Sequence, residues 1–426
     1  MDNLDINGFH LITSFLRPID IKRLGICSKQ NKEICKHFMT YSYNEHGNDE
    51  NYVRIKNIKW FVEDCTRDML DDMLRKQLNT SRINFYEWFN QPIDALSNYT
   101  RLQQLTFDRK FNQPIDALSN CTNLQQLTFG WSFNQPIDAL SNCTQLQQLT
   151  FSTMFNQSIE PLSACVNLRT LDAGNMFNQS IEPLSNCIQL EQLKFGSRFN
   201  GSIDPLSNCA QLEQTEFGYY FNQSIDALSN CTRLKQLIFD RYFNQSIDAL
   251  SECKQLRQLT FYGYFNQSIN ALSECKQLQQ LTFSGGFNQS IDALSNCTQL
   301  RELRLSRKFN QPIYALSNCT QLRELIFGID IGEGISEYEF HCFGLVGSDF
   351  TQPVDALAKC TKLERIYCCR KIDGHFNILQ TSLPYLEIGY PYGDNWSSLI
   401  KKIRENAYRI HANILKFFAE QRNICA

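Results

Sequence analysis

The amino-acid sequence predicts a repeat solenoid, a curved stack of about twelve coils of 22 residues with parallel β-strands on its inner face and short helical turns outside. Two observations predict this fold class. The dipeptide Phe-Asn recurs every 22 residues in eleven copies, from Phe89 to Phe309, and most copies end in the phrase Leu-x-x-Leu-x-Phe. A fixed period of about 20 to 50 residues is typical of stacked arrays, because a single unit cannot bury its own apolar side chains.

Residues 1–40 lack the repeat and predict a small all-α module. Apolar residues recur at helical spacing in the stretch FHLITSFL, and a second helical face follows Pro18. The phrase LRPIDIKRLGICSK is similar to the F-box motif. This resemblance implies docking onto the Skp-type adaptor of a cullin ubiquitin ligase through a surface made of Leu4, Ile12, Leu16, Pro18, Ile21 and Leu24. The pattern alone equally allows a cap that shields the first coil.

Residues 41–88 connect this module to the repeats. The stretch TYSYNEHGNDENY is polar and turn-rich, which is typical of a linker. DCTRDMLDDMLRKQL then has the pattern of a helix, and SRINFYEW has the pattern of a strand. We therefore expect a linker, a helix and an N-terminal cap strand before the first coil.

Each coil of the regular block, residues 89–330, follows one plan. With Phe as position 1, apolar residues also fall at positions 5, 8, 14, 17 and 19, and the alternation around position 17 predicts a short strand with one buried face. An acidic residue before proline, as in Asp204-Pro205, predicts a capped helical turn in the middle of the coil. Position 4 is always Pro or Ser, which indicates extended backbone there.

The phrase Phe-Asn-x-Pro/Ser-Ile at a period of 22 resembles the FNIP repeat, a relative of the leucine-rich repeat found chiefly in large DNA viruses and social amoebae. CTQLQQLTF is also similar to the phrase of cysteine-containing leucine-rich repeats. The resemblance covers more than half of the chain. It implies a leucine-rich-repeat-like solenoid with strands on the inner face and helical turns outside, and for a viral protein it implies interaction with a host cell.

Two further positions are nearly constant among the copies. Asn at position 2 can donate and accept hydrogen bonds, so we expect a ladder of buried amides that satisfies the turns. Cys at position 11, replaced only by Tyr99 in the first copy, is expected to stack as a small buried thiol. Zinc is the alternative, but residues 89–330 contain no histidine, and we expect neither a metal nor a cofactor.

The composition indicates an intracellular protein with no membrane span. The net charge is −3, and no stretch reaches the roughly 18 consecutive apolar residues that a spanning helix needs. The first twenty residues lack the basic region and apolar run of a secretory leader. The 18 cysteines and the Asn-x-Ser/Thr triplets resemble an extracellular protein, but without a leader we expect free thiols and unused glycosylation triplets.

The C-terminal part is expected to close the stack. Residues 331–349 are either a protruding loop or a decayed coil, and residues 350–392 are degenerate repeats. Apolar residues from Trp396 to Phe418 recur at helical spacing, so residues 393–426 are expected to form an amphipathic helix that caps the last coil. A membrane-surface helix is the alternative, which the alternating acids and bases disfavour.

Positions 16, 18, 20, 21 and 22 vary between copies and are expected to face the inner surface or its rim. There, tyrosine and arginine gather on neighbouring coils, and both residue types are enriched in binding hot spots. The alternative is a set of rim residues without a partner. We predict that an unknown protein substrate binds Tyr219, Tyr220, Arg241, Tyr242, Tyr262 and Tyr264.

Enzyme functions are disfavoured, because the six histidines lie outside the regular repeats and no phosphate loop or nucleophile motif is present. Nucleic acid is disfavoured because the net charge is negative and the basic clusters lie about nine coils apart. Two hypotheses remain. The chain is either the substrate-recognition subunit of a cullin ubiquitin ligase or a protein-interaction scaffold that recruits no ligase.

Overall fold

The structure, a computed structural model, describes residues 52–55, 81–85, 89–331, 343–345, 349–367, 379, 382, 383 and 385–389. The predicted helical module of residues 1–40, the predicted helix before the first repeat and the predicted C-terminal helix of residues 393–426 lie outside the described residues. The chain divides into two compact units, Met1–Gln179 and Ser180–Ala426.

The described part of the first unit is a parallel sheet in which each strand pairs with the strand of the next coil. In the regular coils the partners are 22 residues apart, so that Leu105 lies opposite Leu127 and Leu127 opposite Leu149. Each apolar strand residue therefore meets its own copy. The strands are β1 Tyr52–Ile55, β2 Arg82–Phe85, β3 Gln104–Phe107, β4 Gln126–Thr128, β5 Gln148–Thr150 and β6 Thr170–Asp172, and the helices are the 3₁₀ turns Asp94–Asn98, Asp116–Asn120, Asp138–Asn142 and Glu160–Ala164.

The second unit repeats this arrangement. Its strands are β7 Gln192–Lys194, β8 Gln214–Phe217, β9 Gln236–Phe239, β10 Gln258–Phe261, β11 Gln280–Phe283, β12 Glu302–Ser306, β13 Glu324–Ile331, β14 Phe343–Leu345, β15 Arg365–Tyr367 and β16 Glu387–Gly389. Its 3₁₀ turns are Glu182–Asn186, Asp204–Asn208, Asp226–Asn230, Asp248–Glu252, Asn270–Glu274, Asp292–Asn296, Tyr314–Asn318 and Asp355–Lys359. Here β14 pairs antiparallel with β13, whose next parallel partner is β15, with Glu324 opposite Arg365.

The predicted helical turns are present as 3₁₀ helices of five residues, but their caps differ from the expectation. In the turn Asp204–Asn208 the acidic residue is the first helical residue, and the N-cap residue Ile203 makes no side-chain cap bond. Instead the Asp204 amide donates to the hydroxyl of Ser202 at 3.1 Å. Position 4 therefore caps the turn wherever it is serine, because its short hydroxyl side chain reaches the amide two residues on.

Two columns of phenylalanine form the centre of the core. Phe221, at position 1, is fully buried, and its ring centroid lies 4.2 Å from that of Phe217 and 6.0 Å from that of Phe243. The same stacked geometry recurs from coil to coil within each unit, as between Phe111 and Phe133 at 6.0 Å. The prediction that the Phe-Asn pairs align along the stack is confirmed for both residues, and the Phe column is buried.

The asparagine column forms the expected ladder, but nearer the surface than expected. The Asn244 amide donates to Asn222 Oδ1 at 2.9 Å, and Gln245 Nε2 donates to the same oxygen at 3.1 Å. Asn222 is only half-buried. The prediction of buried amides is therefore wrong in depth, because the backbone amides that the side chains satisfy lie at the coil surface.

The cysteine column is buried as predicted. The Cys231 thiol donates to the Leu206 carbonyl oxygen at 3.7 Å, and burial raises the pKa of Cys231 to about 12. Such thiols are protonated and unreactive at neutral pH. The described free cysteines are Cys121, Cys143, Cys165, Cys187, Cys209, Cys231, Cys253, Cys275, Cys297, Cys319 and Cys360.

Three residues in the regular coils depart from the repeat pattern. Ala173 replaces a phenylalanine and precedes Gly174, whose φ is 81°. Leu305 replaces another phenylalanine of the repeat. The register of β12 with β13 shifts between Leu305 and Ser306. Thr215 replaces a leucine without breaking register. The strand register is therefore kept at Thr215 and shifts beside Leu305.

Candidate functional site

Positions 21 and 22 of each coil form a turn directly after the strand, and we call the line of these turns the ridge. In the second unit the ridge backbone is bonded from coil to coil. The Tyr220 amide donates to the Ser197 carbonyl at 2.9 Å, that of Tyr242 to Tyr219 at 3.1 Å, and that of Tyr264 to Arg241 at 2.8 Å. The ridge side chains are thus held at the repeat spacing, whatever their identity.

Five of the six predicted substrate-binding residues come together on this ridge. We call Tyr219, Tyr220, Arg241, Tyr242 and Tyr264 the tyrosine cluster. The rings of Tyr220 and Tyr242 stack with centroids 5.6 Å apart and planes 9° apart, and Tyr264 continues the row at 5.7 Å from Tyr242. Tyr219 packs its edge against both Tyr220 and Tyr242, at 4.8 and 5.1 Å.

Arg241 joins the rings of neighbouring coils. Its guanidinium lies 5.6 Å from the ring centroid of Tyr219 and 5.4 Å from that of Tyr264, and it donates to the Tyr264 hydroxyl at 2.9 Å. This hydrogen bond, followed by the nearby phenols, raises the pKa of Arg241. Burial raises the pKa of Tyr219, and the Arg241 charge opposes the rise. Both groups therefore keep their protons, with Arg241 cationic and Tyr219 neutral.

The cluster is accessible from solvent. Tyr220, Tyr242 and Tyr264 are 42%, 41% and 43% exposed, whereas Tyr219 and Arg241 are half-buried beneath them. Large rings that remain exposed while their positions are fixed by neighbours lose little conformational entropy on binding. The arrangement therefore presents a preorganised surface that a macromolecule can contact.

Tyr262, the sixth predicted residue, lies apart from these rings. Among the described residues it makes no ring contact with the cluster, because it follows strand β10 at position 20 rather than in the turn. Burial raises its pKa, the charges of Glu216 and Asp240 raise it further, and the charge of Arg304 lowers it. Tyr262 is therefore influenced by the charged side chains at and beside the strands, and it is not part of the tyrosine cluster.

Ion pairs join the charged side chains at these strand positions. Lys194 Nζ lies 3.4 Å from Glu216 Oε1, and both side chains are largely buried. The Arg304 guanidinium lies 3.4 Å from Glu324 and 3.5 Å from Glu302, and Arg365 reaches Glu324 at 3.1 Å. These pairs offset charge within the sheet, so they are part of the framework.

Arg198 is a cluster neighbour that the sequence prediction missed. Its guanidinium lies 5.3 Å from the ring centroid of Tyr220, and its side chain is exposed. It occupies position 22 of the preceding coil, in the same row as Tyr220, Tyr242 and Tyr264. Extending that row by one coil would have identified it.

The remaining predicted positions are distributed as follows. Trp131 is 40% exposed on the ridge of the first unit. The predicted adaptor surface of Leu4, Ile12, Leu16, Pro18, Ile21 and Leu24 lies outside the described residues. Within the described part of the chain, no group of three or more His, Cys, Asp or Glu is arranged to hold a metal, and no helix is long and apolar enough to span a membrane.

The sequence matches no protein-family model and no curated protein. Solved structures are similar in fold. An internalin of Listeria monocytogenes is 19% identical, with a TM-score of 0.58 over 76% of this chain and 95% of its own. A leucine-rich-repeat protein of Leptospira interrogans is 12% identical, with a TM-score of 0.53 over 79% of this chain and 100% of its own.

The chain has a leucine-rich-repeat fold. A third similar structure is the glycosylated Toll–Spätzle complex of Drosophila, at 13% identity and a TM-score of 0.59, covering 75% of this chain and 45% of that one. These identities are low, so the likeness concerns the stacking of parallel strands and short turns. The tyrosine cluster is a feature of this chain's own varied positions.

Proposed function

We propose that the chain is a non-catalytic protein-binding solenoid whose tyrosine cluster holds a partner protein. The observation that carries this proposal is a row of exposed rings fixed by one another and by Arg241. Tyrosine and arginine in rigid, partly desolvated positions are typical of binding hot spots. The Drosophila structure of similar fold is a complex with a protein partner, which agrees with this use of the fold.

More specifically, we propose that the chain is the substrate-recognition subunit of a cullin ubiquitin ligase. The support is the phrase LRPIDIKRLGICSK, which is similar to the F-box motif, and the resemblance of the repeats to FNIP repeats. The adaptor would contact the six apolar N-terminal residues named above. The chain itself would perform no chemistry, because holding a target lysine near a charged ubiquitin-conjugating enzyme raises its effective concentration. Such a role is intracellular.

The second candidate is an interaction scaffold that recruits no ligase. The fold and the tyrosine cluster support it equally well, since neither depends on the N-terminal residues. Co-purification of the intact chain with a Skp-type adaptor and cullin distinguishes the two candidates. The ligase proposal requires that both be recovered and that Leu16→Asp or Ile21→Asp remove them while thermal stability is kept. Recovery of other partners without adaptor or cullin would favour the scaffold.

The binding surface is tested by replacing Tyr220, Tyr242 and Tyr264 together with alanine. Their rings are exposed, so we expect partner affinity to fall at least about tenfold with little loss of stability. Tyr314→Ala is the matched control, because Tyr314 is 60% exposed but lies in a 3₁₀ turn away from the ridge. Equal affinities of the triple variant and the control would contradict the proposal.

A further inference from the structure

We infer that the tyrosine cluster binds an acidic, extended segment of its partner. This inference rests on the proposed protein-binding function and specifies the chemistry of the partner. It is carried by three properties of the cluster: the sign of the charge along the ridge, the unused donors of Arg241 and the spacing of the rings.

The ridge around the cluster is basic. From Ser197 to Lys308, positions 21 and 22 of the six coils contain no acidic side chain, and the basic ones are Arg198, Arg241, Arg307 and Lys308. Arg198 and Arg241 have no ion-pair partner in the described part of the chain. By contrast, Lys194 and Arg304, at position 18 of the strands, are paired with glutamates. The framework therefore neutralises its own cations, and the ridge leaves Arg198, which is exposed, and Arg241, which is half-buried, available to a ligand.

Arg241 is oriented for such a ligand. A guanidinium has five N–H donors. The described residues use one of them, the bond to the Tyr264 hydroxyl. The rings of Tyr219 and Tyr264 hold its plane in place, so little entropy is lost when further bonds form. A carboxylate is a planar acceptor that can take two parallel bonds from a guanidinium.

The ring spacing selects an extended segment. The row from Tyr220 to Tyr264 advances 5.6 and then 5.7 Å per ring. Side chains on one face of a β-like extended segment recur every two residues, about 6.4 to 6.8 Å apart, which is close to this spacing. A peptide along the row can therefore place every second residue on a successive ring, while the intervening residues reach Arg241 or Arg198.

The same spacing disfavours single-stranded nucleic acid. A base inserted between two parallel rings needs about twice the 3.4 Å stacking distance, whereas Tyr220 and Tyr242 are 5.6 Å apart. Base stacking would first have to separate rings that already stack on each other. A peptide that packs on the exposed sides of the rings needs no such change.

The test is selection from a random displayed peptide library on the immobilised full chain, run in parallel on Arg241→Gln. We expect the peptides that are retained by the unaltered chain and lost on the variant to be enriched in Asp and Glu. For the best of them, labelled and measured by fluorescence anisotropy, Arg241→Gln should weaken binding at least about tenfold. Replacing its acids by Gln and Asn should have a similar effect. Arg257→Gln, which removes an equal charge from an exposed site off the ridge, should change affinity less than about twofold.

Several outcomes overturn the inference. Peptides that need Tyr242 but show no enrichment in acids would leave the proposed protein binding intact and refute the acidic partner. If no selected peptide depends on Tyr242 or Arg241, both the acidic partner and the proposed protein binding by the cluster are contradicted. An oligouridine that binds more tightly than the best peptide, and loses affinity with Arg241→Gln and Tyr242→Ala, would assign the cluster to nucleic acid.

Discussion

Tyr220 and Phe221 are adjacent in the chain but belong to two different regions of the molecule. Phe221 is fully buried in a column whose members recur at every regular coil. Tyr220 is 42% exposed on the ridge, where the residue at the same position is Arg198 in the coil before and Gly286 three coils later. The residue type in the column is restricted by the identical residues packed above and below it, whereas the ridge accepts different residue types from coil to coil. Stability therefore depends on the repeated positions, and binding chemistry on a few varied ones.

The ridge of the first unit shows how far the varied positions can differ on the same backbone. Met154 donates its amide to the Trp131 carbonyl at 3.1 Å, as the ridge residues of the second unit do from coil to coil. Yet its exposed side chains differ, since the apolar Trp131, Met154 and Met176 lie on the same ridge as the basic Arg109 and Lys110. Thioethers adapt to many shapes, whereas phenols and guanidinium groups prefer particular directions. The coils that carry methionine on the ridge should therefore be less selective than those that carry tyrosine and arginine.

Alkaline pH should give the largest effect on stability, because it acts on every buried thiol of the cysteine column. Burial raises the pKa of Cys121, Cys143, Cys253 and Cys319 from 9.0 to about 12. The thiol pKa is higher in the folded than in the unfolded state. The stability that the protonated thiols contribute is therefore complete below pH 9 and is lost as the pH rises towards 12. Each thiol should lose about 1.4 kcal/mol per pH unit in that window. Urea unfolding at a series of pH values measures the slope.

Cys231→Ala is the control for this interpretation. The variant lacks one titrating thiol. Between pH 8 and pH 10, its free energy of unfolding should therefore fall by about 1.4 kcal/mol less than that of the unaltered chain. An effect that is the same at both pH values would mean that the buried thiols do not cause the alkaline loss.

The adjacent pair Phe221 and Tyr220 should give the next largest contrast. Phe221→Ala removes a fully buried ring from the column and should lower the free energy of unfolding by about 3 to 5 kcal/mol. Tyr220→Ala removes an exposed ring and should lower it by less than about 1 kcal/mol, while partner binding weakens. Urea unfolding and binding measured on both variants check the contrast. Similar losses of stability would show that ridge and column are not separable.

Gly263 links the two regions, because its lack of a side chain lets neighbouring coils approach at the ridge. A Cβ atom at Gly263 would lie 1.8 Å from the Arg241 carbonyl oxygen. Gly263→Ala should therefore displace the turn that carries Arg241, cost about 1 to 3 kcal/mol and weaken partner binding. Gly286→Ala is the control on the same ridge, where the nearest atom would be 3.9 Å away. If thermal melts show equal losses for both, close approach is not the reason for glycine at position 263.

Much of the framework was predictable from sequence, because periodicity reports the stacking directly. The period of 22 predicts the strand register, such as Leu237 opposite Leu259, and the buried phenylalanine and cysteine columns. The caps were less predictable, since serine and aspartate are both preferred capping residues and the pattern does not say which of the two accepts the hydrogen bond. The burial of Asn222 was also not predictable, because it depends on which face of the coil carries the backbone amide that donates to its side chain.

The candidate site was predictable in composition but not in geometry. Variation at fixed positions identified the tyrosines, yet only the structure separates the turn at positions 21 and 22 from the strand end at position 20. That separation removes Tyr262 from the cluster and adds Arg198. The contacts of Arg241 with two rings depend on side-chain directions across coils, which a one-dimensional pattern does not contain.

The smallest effect should come from restoring the repeat at Thr215. This residue lies in register between Leu193 and Leu237, it is buried, and its hydroxyl has no hydrogen-bond partner among the described residues. Thr215→Leu should raise the free energy of unfolding by about 1 kcal/mol, because an unsatisfied hydroxyl is removed and apolar surface is buried. Thr282→Leu, on the opposite face of strand β11, should change it by less than about 0.5 kcal/mol. If Thr215→Leu lowers the free energy of unfolding instead, the packing of this coil has adapted to threonine. The residue types in the columns would then also depend on local sequence, and columns and ridge would differ only in degree.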